Sequence, residues 1–176
     1  MDDQLRAELL ARAAEDQRIR NAATSATRPP DMRIPDDIAA EWERIDEANT
    51  RWLDELADSR GWPGRALAGE DGAHAAWLLA QHADRRPELQ RKFLDMLRAA
   101  VAAGDAEPRN LAYLEDRVRV SDGRPQLYGT QFTRTGTDFG PAPIEAPEHL
   151  DARRAAIGLP PFAEYESEMR RDYGRT

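Results

Sequence analysis

The sequence contains no cysteine, a single lysine and no long apolar run, and these absences exclude several classes of protein. Without cysteine, the chain has no disulfide framework, no thiolate nucleophile and no zinc site of the finger or ribbon type. No apolar stretch approaches the roughly 20 residues that a membrane-spanning helix requires, and the N-terminus lacks a basic segment followed by an apolar one. We therefore expect a soluble, cytoplasmic protein that does not bind membranes.

The charge balance argues against a nucleic-acid-binding protein. Among 176 residues, 33 are acidic and 25 are basic, which gives a formal net charge of -8. Neutralising phosphates requires a concentrated basic surface, and the basic residues form no long block. Hydrophobic residues make up 40% of the chain, enough for one domain of ordinary size, so we expect a single domain over residues 1–176.

Most of the chain has the apolar periodicity of amphipathic helices. Residues at spacings of three and four predict helices over Asp2–Asn21, Asp36–Ser59, a segment from Glu70 or Asp71, and Pro87–Ala103. Shorter helices are predicted from Pro108, from Asp151 and after Pro160. The segments Ala22–Pro35 and Thr133–Pro147 contain several prolines and are predicted loops.

The periodicity changes after Val118 from helical spacing to alternation. Asp122-Gly123 lies between two alternating runs, a pattern typical of a β-hairpin. The sequence therefore predicts a mainly α fold, a single helical domain with a β-hairpin in its C-terminal half. In the second run, Gln126, Tyr128 and Thr130 would share one strand face.

Several short motifs lie along the chain: Gly61-Trp62-Pro63, Gln81-His82-Ala83-Asp84, Ala112-Tyr113-Leu114 with Asp116-Arg117, and Tyr128-Gly129-Thr130-Gln131. Together they resemble an uncharacterised bacterial family, a domain of unknown function found largely in actinomycetes. The resemblance covers residues from about Glu15 to Tyr165. The resemblance implies one intact domain that contains this set of polar motifs. It implies no reaction.

His82 is the natural centre of a candidate catalytic site, because an imidazole can exchange protons near neutral pH. A carboxylate bonded to one ring nitrogen would fix its tautomer. Asp84 and Asp116 are the predicted partners, and Asp46 is an alternative. His82 could instead be a helix-terminal residue bonded to a carbonyl group. A metal site of His82, Asp84 and a further carboxylate is a lesser alternative, and we predict neither a metal nor a cofactor.

Other polar and aromatic residues are candidates for binding a substrate. Asn49 interrupts an apolar helical stripe, so it is either a satisfied core amide or part of the site. Trp62 lies in a turn where it could form the wall of a pocket, and Arg117 could hold a carboxylate or form a salt bridge. The predicted set is completed by Asp46, Gln81, Tyr113, Gln126, Tyr128 and Gln131.

Two functions fit these residues. The first is an enzyme that acts on a small polar molecule by general acid/base chemistry at His82, in a hydrolysis, elimination or cyclisation. No serine lies in a nucleophile elbow, and no glycine-rich phosphate loop occurs. The second is a non-catalytic interaction or accessory protein whose polar motifs are structural.

Overall fold

A computed structural model describes residues 1–26, 33–135 and 138–174. In this part of the chain, seven α-helices and one two-stranded antiparallel hairpin confirm the mainly α prediction. The helices are α1 Asp3–Ala26, α2 Asp36–Arg60, α3 Arg65–Gln81, α4 Pro87–Ala102, α5 Pro108–Ser121, α6 Leu150–Ala156 and α7 Phe162–Tyr173. The strands are β1 Phe132–Thr135 and β2 Asp138–Pro141.

The backbone falls into two compact units, Met1–Ala106 and Glu107–Thr176. The first contains α1 to α4, and the second contains α5 to α7 with the hairpin. That they form one domain remains a prediction. None of the helices in the described ranges is both long enough and apolar enough to cross a membrane.

In the first unit, α1 packs against α2 and α3. Helix α3 buries a row of alanines, and their small side chains allow neighbouring helices to approach closely. The larger core residues come from the surrounding helices: Leu9, Ile19, Leu53, Leu79, Phe93 and Leu97.

Helix α3 begins earlier than its apolar pattern predicts. Its first turn is capped from a distant loop, since Ala66 N donates to Asp105 Oδ1 at 2.7 Å and Arg65 N donates to the Asp105 carbonyl at 2.9 Å. Gly69 then interrupts the helix with φ 75° and ψ 173°, a conformation that favours glycine. The predicted start near Glu70 coincides with the second, regular part of this helix.

In the second unit, the hairpin lies later in the chain than predicted. Val118 and Val120 belong to α5, which extends to Ser121, and Asp122-Gly123 ends this helix instead of turning a hairpin. The observed hairpin pairs Phe132 with Pro141 and Thr135 with Asp138.

The predicted loops also need correction. Helix α1 continues through Ala26, five residues beyond its predicted end at Asn21, so the predicted loop from Ala22 to Pro35 begins in helix. The rest of that prediction falls partly on residues 27–32, outside the described residues. In the segment Thr133–Pro147, a loop prediction missed most of the hairpin, and residues 136–137 are likewise outside the described part.

Candidate functional site

His82 follows the last turn of α3, where its imidazole contacts a carboxylate of α1. Both carboxylate oxygens of Asp16 lie 2.9 Å from His82 Nδ1. Asp16 is fully buried, and its Oδ2 also accepts a hydrogen bond from Gln17 Nε2 at 2.9 Å. The partner of the imidazole therefore comes from α1, and neither Asp84 nor Asp46 occupies this position.

The surroundings of Nδ1 determine which ring nitrogen carries the proton when the imidazole is neutral. Arg20 Nε donates a hydrogen bond to Nδ1 at 2.9 Å and shares its N–H with Asp16 Oδ1 at 3.2 Å. An unprotonated Nδ1 would direct its lone pair at the two carboxylate oxygens, whereas a protonated Nδ1 donates to them. Two carboxylate oxygens at 2.9 Å outweigh the one Arg20 N–H, because an unprotonated Nδ1 would repel both of them. With the proton on Nδ1, His82 donates to Asp16, and the Arg20 N–H is left to Asp16 Oδ1 and Oδ2, at 3.2 and 3.3 Å. We therefore assign the proton to Nδ1, which leaves the lone pair on Nε2.

Arg20 connects this pair to a second carboxylate, on α2. Its Nη2 donates to Asp46 Oδ1 at 2.8 Å, and Trp42 Nε1 donates to Asp46 Oδ2 at 2.9 Å. The guanidinium also lies over the Trp42 ring, 4.7 Å from its centroid. One arginine thus bridges Asp16 and Asp46, and the side chains of α1, α2 and α3 form a single charged cluster. We call His82, Asp16, Arg20, Asp46 and Trp42 the imidazole cluster.

The two carboxyl groups of the imidazole cluster are shifted in opposite directions. Burial raises the pKa of Asp16, but the hydrogen bond and charge of His82, together with the charge of Arg20, outweigh it and lower the pKa below its usual value. For Asp46, burial dominates and raises the pKa, Arg20 opposes this effect, and the charge of Asp16 adds to it. Neighbouring carboxyls whose pKa values are driven apart are typical of acid/base sites.

The other ring nitrogen of His82 forms no hydrogen bond in the described part of the chain. Nε2 has no partner among the residues that the structure describes, and the side chain is 14% exposed. An imidazole held at one nitrogen and open at the other is oriented to exchange a proton through its open side.

The predicted partners of His82 make other contacts. Asp84 is exposed and accepts a hydrogen bond from Gln90 Nε2 at 3.0 Å, whereas the carboxylate in contact with His82 Nδ1 is that of Asp16. Asp116 belongs to the second unit, where its carboxylate binds backbone. Sequence reasoning missed Asp16 and Arg20. The available signal was an acid at position 16 on the stripe that also buries Leu9 and Ile19.

Asp116 of α5 holds the irregular segment that follows the helix. Its buried carboxylate accepts hydrogen bonds from the backbone N–H groups of Leu127, Tyr128 and Thr130, at 2.6 to 3.1 Å, and from Thr130 Oγ1 at 3.0 Å. Burial raises the pKa of Asp116, while these hydrogen bonds act in the opposite direction. All four donors are internal, and this arrangement is typical of a structural carboxylate.

The same segment is held at its carbonyl groups by α6. Arg153 Nε donates to the Leu127 carbonyl at 2.7 Å, and Arg154 Nη1 donates to the Tyr128 carbonyl at 2.6 Å. We call this arrangement, in which Asp116 binds the N–H groups and two arginines bind the carbonyls, the backbone clamp. Gln126 is not on a strand face with Tyr128 and Thr130 as predicted. It forms an isolated bridge with Ile144.

Gln126 is satisfied by backbone groups. Its Nε2 donates to the carbonyls of Gln131 and Ala142 at 2.9 and 2.8 Å, and its Oε1 accepts from Gln131 N at 2.8 Å. The side chain is fully buried. These contacts use its amide within the fold of the second unit, so the geometry favours a structural role for Gln126 over substrate binding.

The remaining candidates are distributed over both units. In the first, Asn49 and Gln81 are buried, and Trp62 lies in the turn before α3 with its indole N–H buried and unpartnered among the described residues. In the second, Tyr113 packs edge-on against Tyr165 at 6.3 Å, and Arg117 lies on α5. Gln131 Nε2 donates to Thr130 Oγ1 at 3.0 Å. Within the described ranges, no three His, Asp or Glu side chains are grouped to hold a metal ion.

Comparison with known proteins identifies a family. The model of a family of unknown function, DUF6624, matches residues 3–176. No match was found among curated proteins or among solved structures.

Proposed function

We propose that this chain, which belongs to the DUF6624 family, is a cytoplasmic enzyme that acts on a small polar molecule by acid/base chemistry at His82. One observation carries the proposal: His82 Nδ1 contacts a buried carboxylate, while Nε2 has no hydrogen-bond partner among the described residues. The bacterial, largely actinomycete origin suggested by the motifs is part of the same proposal.

In the proposed reaction, His82 Nε2 takes a proton from the substrate or from a water molecule. The lone pair on Nε2 forms the new N–H bond, and the imidazolium keeps its Nδ1 proton directed at Asp16. Because Asp16 is ionised at neutral pH, its negative charge stabilises the imidazolium. His82 then returns the proton from Nε2 to the product.

Arg20 and Asp46 are positioning residues in this proposal. Arg20 is bonded to both carboxylates, so it holds Asp16 against the imidazole and limits the repulsion between the two acids. Trp42 fixes the far oxygen of Asp46. The cluster therefore presents an imidazole of fixed orientation, which is the requirement for efficient proton transfer.

The test is a turnover screen read by proton NMR. Wild-type protein is incubated with amino acids, amides, hydroxy acids, sugar acids and nucleosides. We expect one compound class to be converted, conversion to be lost in His82→Gln, and the rate to fall by about 100-fold or more in Asp16→Asn, because the tautomer is no longer fixed. His149→Gln, at an exposed histidine, is the matched control. Conversion by His82→Gln at the wild-type rate would refute the proposal.

A second candidate, a non-catalytic interaction protein, is favoured by the backbone clamp. Asp116 and Gln126 use their polar atoms on backbone groups of their own unit. If the panel includes compounds that bind wild-type protein and none is converted, this second candidate replaces the enzyme.

A further inference from the structure

A cleft of about 270 Å³ lies between α1 and α2 in the first unit. It is lined by Arg12 and Glu15 of α1, by Arg44 and Asn49 of α2, and by apolar side chains including Ile45. His82, Asp16 and Asp46 are not among the residues that line it. The cleft is therefore distinct from the imidazole cluster, and what it binds is a separate question.

Asn49 is a buried amide that lacks a partner for its nitrogen. The residue is 6% exposed, and its Oδ1 accepts a hydrogen bond from Arg12 Nη1 at 3.2 Å. This contact fixes the amide orientation, since a flipped amide would place two donors face to face. Asn49 Nδ2 then has no hydrogen-bond partner among the described residues. A buried donor without a partner costs stability, so an acceptor is expected at this position.

Arg12 is held in place by three neighbours. Its Nε donates to Glu8 at 2.7 Å, its Nη1 donates to Asn49, and its guanidinium lies 4.4 Å from the centroid of the Trp52 ring. These contacts restrict the rotation of a long side chain, so little conformational entropy is lost when its remaining N–H groups bind a ligand.

Among the other charged groups at the cleft, the acidic one is already paired, so only N–H donors remain without a hydrogen-bond partner. Both carboxylate oxygens of Glu15 accept hydrogen bonds from Arg18, at 2.8 and 2.9 Å. Arg44 is exposed and forms no hydrogen bond or ion pair within 4 Å in the described ranges, and its charge contributes to the lowered pKa of Glu15. Arg12, Arg44 and Asn49 all line the cleft, and they carry its N–H groups that have no partner among the described residues.

We propose that this cleft binds a small oxyanion, a carboxylate or a phosphate, through Asn49 Nδ2 and the guanidinium groups of Arg12 and Arg44. A planar guanidinium donates two parallel N–H groups to such an anion, and charge-assisted hydrogen bonds of this kind are stronger than neutral ones. The site does not depend on His82, so it stands or falls separately from the proposed enzyme.

The test follows the Asn49 side-chain amide by NMR in ¹⁵N-labelled full-length protein. Sodium acetate, sodium succinate and sodium phosphate are titrated at constant ionic strength, and sodium chloride is the control. We expect a saturating shift of the Asn49 amide signal with at least one oxyanion and none with chloride. The tighter binder, carboxylate or phosphate, identifies the chemical class of oxyanion that the cleft recognises.

Two variants at the cleft make the test specific. Arg44→Gln changes an exposed side chain, so it is expected to fold normally and to weaken binding about tenfold or more. Arg12→Lys keeps the charge but removes the fork, and is expected to weaken binding as well. Arg51→Gln changes an arginine on the same helix as Arg44 but outside this cleft, and this variant should bind as the wild type does. Titrations that never saturate, or an Arg44→Gln variant that binds like the wild type, would overturn the proposal.

Discussion

A carboxylate without access to solvent, such as Asp116, has to be matched by donors on all sides. In Asp116→Asn, one carboxylate oxygen becomes an NH₂ group that faces backbone N–H groups of the segment after α5. We expect the free energy of unfolding to fall by about 2 to 4 kcal/mol, measured by urea denaturation. Asp172→Asn, at a surface ion pair, should change it by less than about 0.5 kcal/mol. An equally small effect at Asp116 would contradict the clamp.

Asp16 links stability to pH. Its carboxyl has a lowered pKa in the folded state, so it favours the folded state when ionised. This stabilisation is fully present above the unfolded-state pKa of about 4 and is lost as the pH falls through the lower folded-state pKa. The unfolding free energy of wild type should therefore exceed that of Asp16→Asn at pH 6, and the difference should shrink towards pH 2. A constant difference would contradict this linkage.

At the residue scale, the position of His82 at a helix end was easier to predict than the carboxylate that contacts it. Asn49 is buried as its place in an apolar stripe predicts, and His82 lies at a helix end as expected. Its partner Asp16 is 66 positions away, and only the packing of α1 against α3 brings the two together. Local spacing pointed to Asp84, two residues along, because sequence alone does not show which distant helix faces which.

The start of α3 depends on close contact between Gly64 and Asp105. A Cβ at position 64 would lie 2.0 Å from Asp105 Oδ2 and 2.8 Å from its carbonyl oxygen. Gly64→Ala should therefore reduce the unfolding free energy by about 1 to 3 kcal/mol. Asp105→Ala removes the cap and should cost about 1 kcal/mol. In the double mutant we expect the unfolding free energy to fall by less than the sum of the two single losses. Strict additivity would contradict the steric explanation.

Helix α7 is held less firmly than α5 in the second unit. No residue of α7 is buried, whereas α5 buries Ala112, Leu114, Asp116 and Val118. A helix with few buried contacts opens locally at a low cost in free energy. Amide hydrogen exchange should thus be faster throughout α7 than in the central turn of α5. Equal protection of the two helices would show that α7 opens only with the rest of its unit.

At the element scale, helices with a strong apolar stripe were predictable and the hairpin position was not. Helix α2 begins at the predicted residue and ends one residue later, because its stripe is long and its boundaries carry proline and glycine. Val118 and Val120 alternate with a polar residue as in a strand, but both lie within α5, which continues to Ser121. Two apolar residues one position apart are too few to distinguish the two periods, and tertiary packing decides between them.

The single-domain prediction concerns the whole molecule and can be tested by calorimetry. Glu107–Thr176 is near the size below which one apolar core supplies only about 3 to 5 kcal/mol. We therefore expect one unfolding transition, shifted to lower temperature both by Gly64→Ala in the first unit and by Asp116→Asn in the second. Two transitions, each moved by one of these variants, would contradict a single cooperative domain.

The backbone clamp also bears on the order of events during synthesis. Asp116 binds N–H groups 11 to 14 positions later in the chain, and Arg153 and Arg154 bind carbonyls 26 positions earlier. A helix can form as soon as its own residues leave the ribosome, but these long-range bonds close loops whose entropy is lost before the bonds are gained. While Arg153 and Arg154 of a nascent chain are still inside the exit tunnel, the segment from Leu127 to Thr130 lacks both arginines of the backbone clamp.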